Sequence, residues 1–142
     1  MNANPSLVSG VHHVSLLVED LDEALRFYRD LLGLQQIPRP DLGFTGAWLK
    51  IGQTEVHLLC AERSAELGTA PTAISPLANH LAFAVDDLEV VVAKVSGAGH
   101  QVRGGIAGLR QAFVQDPAGN VVEFSAVANP TASRSDPVAL SR

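Results

Sequence analysis

Two segments of the chain share one pattern of apolar and polar positions. The first reads HVSLLVEDLDEAL from His13 to Leu25, and the second reads HLAFAVDDLEVVV from His80 to Val92. They align without gaps at an offset of 67 residues. Each begins with apolar residues at alternate positions, which predicts a β-strand with two distinct faces, and continues with apolar residues at helical spacing. The pattern therefore predicts an internal duplication.

The first residue of each predicted strand is a histidine, and the two histidines occupy equivalent positions. The larger apolar residues of each strand share one face, which we expect to pack under a helix. His13 shares the other face with Ser15, and His80 shares it with Ala82 and Ala84. These small neighbours are expected to leave space above the sheet.

A helix and three further strands are predicted in each half. Asp20 or Asp22 is placed to cap the first helix, and Asp86 or Asp87 the second. Gly33 is predicted to end the helix of the first half, and Gly97 or Gly99 is predicted to end the helix of the second half. The further strands are predicted at Leu34–Ile37, Phe44–Ile51, Glu55–Cys60, His100–Arg103, Gln111–Gln115 and Val121–Ala126.

These elements predict an α+β fold of two tandem βαβββ modules that form a cupped, barrel-like mixed sheet. A single domain is expected over 10–128, with module one at 10–60 and module two at 80–128. The connection 61–79 is polar and rich in small residues, which is typical of a linker. The tail 129–142 is rich in Ser, Pro and Ala, and we expect it to be disordered.

Composition excludes several classes of partner. The net charge is −5 and no Lys/Arg cluster occurs, so nucleic acid is an unexpected partner. No apolar run approaches the roughly 18 residues that span a bilayer. The first ten residues lack the features of a signal peptide, and a cytoplasmic location is the expectation. Cys60 is the only cysteine, so any metal must be held by histidine and carboxylate.

Four side chains, one on each of four predicted strands, are candidate metal ligands. They are His13, His57, His80 and Glu123, separated along the chain by 44, 23 and 43 residues. Two modules related by a pseudo-twofold axis can bring equivalent strands together, so that these donors converge on one point. The near-equal first and last separations are what a repeated unit would produce.

Each candidate also has a structural interpretation. A histidine in a strand is more often a hydrogen-bonded polar residue than a ligand. Glu123 lies in the apolar strand VVEF, where a carboxylate is costly to bury unless it is paired or bound to a cation. As alternatives, Glu123 is an exposed residue at a sheet edge, or its carboxylate pairs with an arginine such as Arg110. His57 is one residue out of register with the repeat, because Glu123 aligns with Val56 at the offset of 67.

The sequence resembles the vicinal oxygen chelate superfamily, which includes glyoxalase I, methylmalonyl-CoA epimerase, extradiol dioxygenases, and fosfomycin- and bleomycin-resistance proteins. The resemblance rests on HHVSLLVEDLDEALRFYRDLLGL, NHLAFAVDDLEVVV and QDPAGNVVEF, and it covers roughly Val11 to Val127. It implies paired βαβββ modules around one divalent metal ion, which is Zn, Fe, Mn, Ni or Co. The motifs specify the superfamily and no single reaction.

The resemblance also assigns roles to residues. The family's metal ligands map to His13, His80 and Glu123, and the fourth maps to His57, with Glu55 as the alternative because it shares that face. His12 lies one residue out of phase. Family members commonly form homodimers, sometimes with sites shared between chains, and the sequence leaves open which arrangement applies here.

The implied function is that of a metal-dependent enzyme that chelates two neighbouring oxygens of a small molecule. Glyoxalase-like or epimerase-like lyase or isomerase chemistry is favoured, with Glu123 as the catalytic base. An extradiol-type dioxygenase and a non-catalytic antibiotic-binding resistance protein are the alternatives. Trp48 and Arg110 are candidate substrate-binding residues, with ordinary packing and exposed surface as their alternatives.

Overall fold

The computed structural model describes residues 5–127, in which each half of the chain forms one mixed sheet with a helix on one face. The predicted tail 129–142 lies outside the described residues. No helix within 5–127 is long and apolar enough to cross a membrane. The elements are β1 His13–Val18, α1 Leu21–Leu25 with a π-helical extension Arg26–Leu31, β2 Gln35–Ile37, β3 Gly46–Ile51, β4 Thr54–Cys60, β5 His80–Val85, α2 Leu88–Gly97, β6 Arg103–Gly104, β7 Gln111–Gln115 and β8 Val121–Ala126.

The two sheets have the same topology. Their strand orders are β1-β4-β3-β2 and β5-β8-β7-β6. In each sheet the first strand pairs in parallel with the last, and the other pairs are antiparallel. The predicted α+β fold with two βαβββ modules is therefore confirmed.

The ends of the helices follow from capping chemistry. The side chain of Asp20 accepts a hydrogen bond from the Glu23 amide at 3.1 Å, and Asp87 accepts one from the Val90 amide at 3.1 Å. Each of these bonds satisfies a backbone N–H that has no partner inside the helix. Gly33, with φ 85°, follows the first helical segment, as its predicted role requires. The equivalent in the second half is Gly99, with φ 94°, because Gly97 belongs to α2.

The first helix differs from its predicted form. It is α-helical only to Leu25 and then π-helical to Leu31. Phe27 is 2% exposed and Tyr28 is fully buried, so two adjacent aromatic side chains point inward. A π turn is wider than an α turn, which allows both rings to reach the core.

Two predicted strands are placed differently along the chain. The strand expected at His100–Arg103 is only Arg103–Gly104, because the His100 ring turns towards the first helix and contacts Phe27, with ring centroids 5.0 Å apart. The strand expected at Phe44–Ile51 begins at Gly46. Phe44 is left in an exposed loop beneath the guanidinium of Arg39.

Both modules contribute to one apolar core. The helix-facing side chains of the two sheets and the inner sides of both helices belong to a single cluster of buried residues. Phe83 of β5 and Tyr28 of the first helix illustrate this, since their ring centroids lie 6.5 Å apart across the module boundary. The opposite faces of the sheets stay outside this core and carry the candidate ligands.

A buried carboxylate joins the two modules. The Tyr28 hydroxyl donates to Asp116 at 2.6 Å, and Asp116 also accepts from the amides of Ala118 and Asn120 in the β7–β8 turn. The Asn120 side chain donates both to Asp116 and to the Leu17 carbonyl of β1. The turn motif DPAGN therefore holds module two against the helix and the first strand of module one.

Tyr28 is expected to resist ionisation. Burial raises the pKa of its hydroxyl well above the ordinary value, and the negative charge of Asp116 raises it further. Because the folded-state pKa lies above that of the unfolded chain, this stability is present below about pH 10 and is lost as the pH rises through the folded-state value. Tyr28 is the only tyrosine, so the tyrosinate absorbance reports it alone. We expect this absorbance to develop only together with alkaline unfolding; its appearance near pH 10 with intact circular dichroism would contradict the prediction.

Candidate metal centre

The outer face of module one carries a stack of three rings. His57 lies on β4, between β1 and β3 in the sheet, and is opposite Trp48 in the register. The His13 ring stacks on His57 with centroids 4.1 Å apart and planes 14° apart. The Trp48 ring stacks on His57 with centroids 4.4 Å apart and planes 8° apart. His57 is therefore held between His13 and Trp48, and its orientation is fixed by both neighbours.

The His57 ring is prepared to act as a neutral nitrogen donor. Its side chain is buried, and its Nε2 has no hydrogen-bond partner. The nearest carboxylate oxygen, Oε2 of Glu55, lies 3.5 Å from Nε2, at the limit of hydrogen-bond distance. Burial lowers the pKa of His57, and the neighbouring His13 lowers it further, against a weaker opposing effect of Glu55. Metals bind the neutral form of imidazole.

Other ionisable groups lie at the start of this face. His12 Nδ1 is 2.9 Å from His13 Nδ1 and 3.9 Å from Glu55 Oε2. The side chain of His12 is 81% exposed, in keeping with its position out of phase with the strand. Glu55 lies opposite His13 in the register and on the face of His57. Both His57 and Glu55 therefore stay candidates for the fourth ligand.

Glu123 is buried on the outer face of module two. Its side chain is 8% exposed, and Gln111 Nε2 donates a short hydrogen bond to its Oε1. Gln111 Oε1 accepts a hydrogen bond from the backbone amide of Ile106 at 2.8 Å. The side-chain amide of Gln111 therefore links the Glu123 carboxylate to the β6–β7 loop. Glu123 is thus neither an exposed edge residue nor an ion-pair partner of Arg110.

His80 has one ring nitrogen fixed by the backbone. Its Nδ1 lies 2.7 Å from the Ala78 carbonyl, and because that oxygen only accepts, Nδ1 carries the hydrogen. The Nε2 is left as an acceptor for a metal or a proton. Metal-binding histidines usually have their second nitrogen oriented in this way. His80 lies on the same face as Glu123 and diagonal to it, because Ala82 is the residue opposite Glu123 in the register.

Part of the face of module two is covered by the linker. Ile74 packs on Phe113 and Val121, which are both buried on that face. Arg103 donates to the Ile74 carbonyl at 2.6 Å, and the Gln115 side chain donates to the Pro71 carbonyl at 2.7 Å. His80, at the start of β5, is exposed on this face.

The structure brings the candidate ligands together as two pairs. His13 and His57 are in contact on module one, and His80 and Glu123 share the face of module two. Within 5–127, no ring contact, hydrogen bond or ion pair joins one pair to the other, and no three His, Cys, Asp or Glu side chains are grouped as a metal site. The four-ligand site therefore stays a prediction.

The two predicted substrate-binding residues lie on opposite sides of their sheets. Trp48 is half-buried on the face of His57. Arg110 forms an ion pair of 2.7 Å with Glu89 of α2, on the helix side of module two. Arg110 precedes Gln111, and successive side chains in an extended segment alternate between faces. Its guanidinium is therefore directed away from the face of Glu123.

Two further residues on these faces were not among the sequence candidates. Gln111, Phe113 and Gln115 lie on one face of β7, and Phe113 is opposite Glu123 in the register. Strand alternation could therefore have predicted that Gln111 lies near Glu123. Arg39 lies in the irregular loop between β2 and β3, flanked by two prolines, where no periodic pattern assigns a face. Only the three-dimensional structure places its guanidinium.

Comparison with known proteins agrees with this architecture. The family model "Glyoxalase/Bleomycin resistance protein/Dioxygenase superfamily" matches residues 10–124. The chain belongs to this superfamily. Within it, Glyoxylase I 4 of Arabidopsis thaliana is 39% identical over 85% of this chain and 72% of that protein. Lactoylglutathione lyase of Haemophilus influenzae is 29% identical over 79% of this chain and 88% of that protein.

A solved structure of the superfamily supports the fold. A glyoxalase family protein from Bacillus anthracis superposes with a TM-score of 0.72, covering 88% of this chain and 100% of that chain at 24% identity. In this chain, the candidate donors are of the types that divalent transition metals accept. His57 Nε2 is an unpartnered buried nitrogen, and imidazole and carboxylate donors suit the divalent transition metals.

Proposed function

We propose that the chain is a metal-dependent lyase or isomerase that acts on a small molecule with two neighbouring oxygens. The observation that carries the proposal is the buried carboxylate of Glu123, which has an amide partner, Gln111, and no cationic side-chain partner among residues 5–127. Burying a carboxylate is costly unless a cation or hydrogen bonds compensate for the lost hydration. A bound metal ion would supply the missing positive charge.

The complete site is proposed to form between two copies of the chain. His13 and His57 of one copy would hold the metal together with His80 and Glu123 of the second copy. Each pair provides two donors, so two pairs make a four-donor set with room for substrate oxygens. The arrangement draws on the placement of the pairs on separate sheets, with His13 and His57 on the first and His80 and Glu123 on the second.

The chemistry divides between the metal and the protein. A divalent metal supplies Lewis-acid stabilisation to two adjacent oxygens of the substrate. Gln111 holds Oε1 of Glu123, and Oε2, once released from the metal, would take a proton from the carbon beside those oxygens. Returning that proton from Oε2 to the neighbouring carbon completes an isomerisation. Trp48 forms an apolar wall that limits water access.

Metal binding is the first test of this proposal. The purified chain is loaded separately with Zn, Mn, Fe, Ni and Co. For at least one of these metals, we expect about one bound ion for each site formed by a His13–His57 pair and a His80–Glu123 pair. Removing the His80 ligand in His80→Ala should weaken binding more than about 100-fold, because even the loss of a residue that only orients a ligand costs about 10–100-fold. His100→Ala is the matched control, since His100 contacts Phe27 on the helix side. Absence of stoichiometric metal under all conditions would favour the antibiotic-binding alternative.

Hydrogen exchange at carbon tests the reaction class. Lactoylglutathione and methylmalonyl-CoA are incubated with the metal-loaded protein in deuterium oxide, and exchange beside the carbonyl is followed by NMR. We expect exchange with at least one compound, lost in Glu123→Gln and retained in Glu62→Gln, which alters an exposed glutamate. Oxygen uptake with a catechol and no exchange would instead indicate the dioxygenase.

A further inference from the structure

We propose that Arg39 forms a subsite for an anionic group of the substrate, on the face of module one that carries His13 and His57. The proposal rests on the proposed function and specifies its substrate class. It would make Arg39 a specificity-determining residue, distinct from the metal ligands and from the carboxylate base.

The three-dimensional structure places the Arg39 guanidinium against the start of β3. The β2–β3 pairing ends with Ile37 opposite Trp48, and Arg39 follows two residues later in the loop. A Cβ built on Gly46 would collide with the Leu58 carbonyl of β4 and would lie 3.1 Å from Arg39 Nη2. Positions 46 and 48 of β3 share a face because strand positions alternate. The guanidinium therefore lies against Gly46, two positions along β3 from Trp48.

Neutral groups hold the guanidinium in this position. Arg39 Nη2 donates to the Phe44 carbonyl at 2.9 Å, and its Cζ lies 4.9 Å from the centre of the Phe44 ring. The contact with an aromatic face orients the planar group and leaves its net charge unchanged. These contacts reduce the freedom of a long side chain before any ligand arrives, which favours binding.

The charge of Arg39 has no carboxylate partner in the described part of the chain. None of the ion pairs within 5–127 includes Arg39, and its Nε is a buried donor without a hydrogen-bond acceptor. An unsatisfied buried donor on a charged group is costly to the free protein. A ligand with negatively charged oxygens would balance the charge, since the guanidinium matches such oxygens in charge-assisted contacts.

Strand geometry sets the length of the ligand. Gly46 and Trp48 are two residues apart on β3, which corresponds to about 7 Å along the strand. Trp48 stacks on His57, so the anion subsite lies about this distance from the ring stack. The substrate class is therefore a molecule with oxygens at one end and a carboxylate several bonds away. A phosphate would present the same oxyanion chemistry.

The experiment uses the single tryptophan, Trp48, as its reporter. The full chain is titrated with glutarate, with the neutral glutaramide of equal length, and with inorganic phosphate, in the presence of a chelator so that no metal contributes. We expect the wild type to bind glutarate about tenfold or more tightly than glutaramide, as a charge-assisted contact requires. Arg39→Gln should lose this preference, and Arg39→Lys should keep part of it.

Arg63→Gln is the matched control. Arg63 also has a buried Nε without a partner, but its Nη2 donates to Asn120 Oδ1 in the inter-module contact. The variant removes the same charge and should keep the preference for glutarate. Competition by phosphate would show that the subsite accepts phosphate as well as carboxylate. Binding of glutarate without competition by phosphate would show that the subsite is selective for carboxylate.

Three results would overturn the subsite: no binding of glutarate by the wild type, equal binding of glutarate and glutaramide, or an unchanged preference in Arg39→Gln. The metal titration is separate, because Arg39→Gln keeps all proposed ligands and should bind metal as the wild type does. Loss of the glutarate preference with normal metal binding supports the subsite. If neither the wild type nor any variant binds metal, but the wild type prefers glutarate and Arg39→Gln does not, the metal-dependent function is wrong and the anion subsite stands.

Discussion

Mixing His13→Ala chains with Glu123→Ala chains is expected to restore about a quarter of the wild-type activity, although each variant alone is inactive. In a hybrid dimer, one site contains both substitutions and the other contains neither. Random assortment makes about half of the dimers hybrid, and half of their sites are intact. The activity is measured as hydrogen exchange at the substrate carbon after the chains are unfolded together and refolded.

The control for this experiment combines two substitutions on the same pair. In a hybrid of His80→Ala and Glu123→Ala chains, each site keeps one defect, so no activity should return. Recovery in both mixtures would indicate an artefact of refolding. No recovery in either mixture, with both variants folded, would mean that the site forms within one chain, and the shared-site proposal would be wrong.

Replacing Asp116 by alanine is expected to lower the free energy of unfolding by about 2–3 kcal/mol, within the range for losing a hydrogen bond to a charged group and leaving a buried donor without an acceptor. The carboxylate accepts from the Tyr28 hydroxyl, two backbone amides and the Asn120 side chain. Its removal leaves the Tyr28 hydroxyl buried without an acceptor, and hydrogen bonds to charged groups are the strongest of their kind.

Urea denaturation of matched variants checks this value. Asp41→Ala is the control, because Asp41 also accepts one backbone amide, that of Gly43, but is exposed. It should cost less than about 1 kcal/mol, and Asp116→Asn, which keeps part of the network, should fall between the two. A loss for Asp116→Ala as small as that for Asp41→Ala would show that this carboxylate does not join the modules.

The duplication could be predicted from the sequence because it depends on local patterns of residues. Strand alternation and the caps Asp20 and Asp87 depend on residues close together in the chain, and the structure confirms them. The π turn and the shortened β6 depend on what Phe27 and His100 contact across the fold. Tertiary packing overrides the local preference at such positions.

The candidate site could be predicted only in part. The faces of His13, His57, His80 and Glu123 follow from strand periodicity, and the register agrees with them. Whether the two pairs meet depends on how modules and chains pack, which no local pattern records. Arg39 was missed for a related reason, since its position comes from a loop that folds back over Gly46.

The linker contact with module two has a stereochemical consequence. A cavity built from two equivalent faces would be nearly symmetric, and a substrate could enter it in either of two orientations. Ile74 covers Phe113 and Val121 on one face, and module one has the ring stack of His13, His57 and Trp48 at the corresponding side of its sheet. The two halves of the proposed site are therefore different in shape, which would allow a substrate to bind in only one of these two orientations.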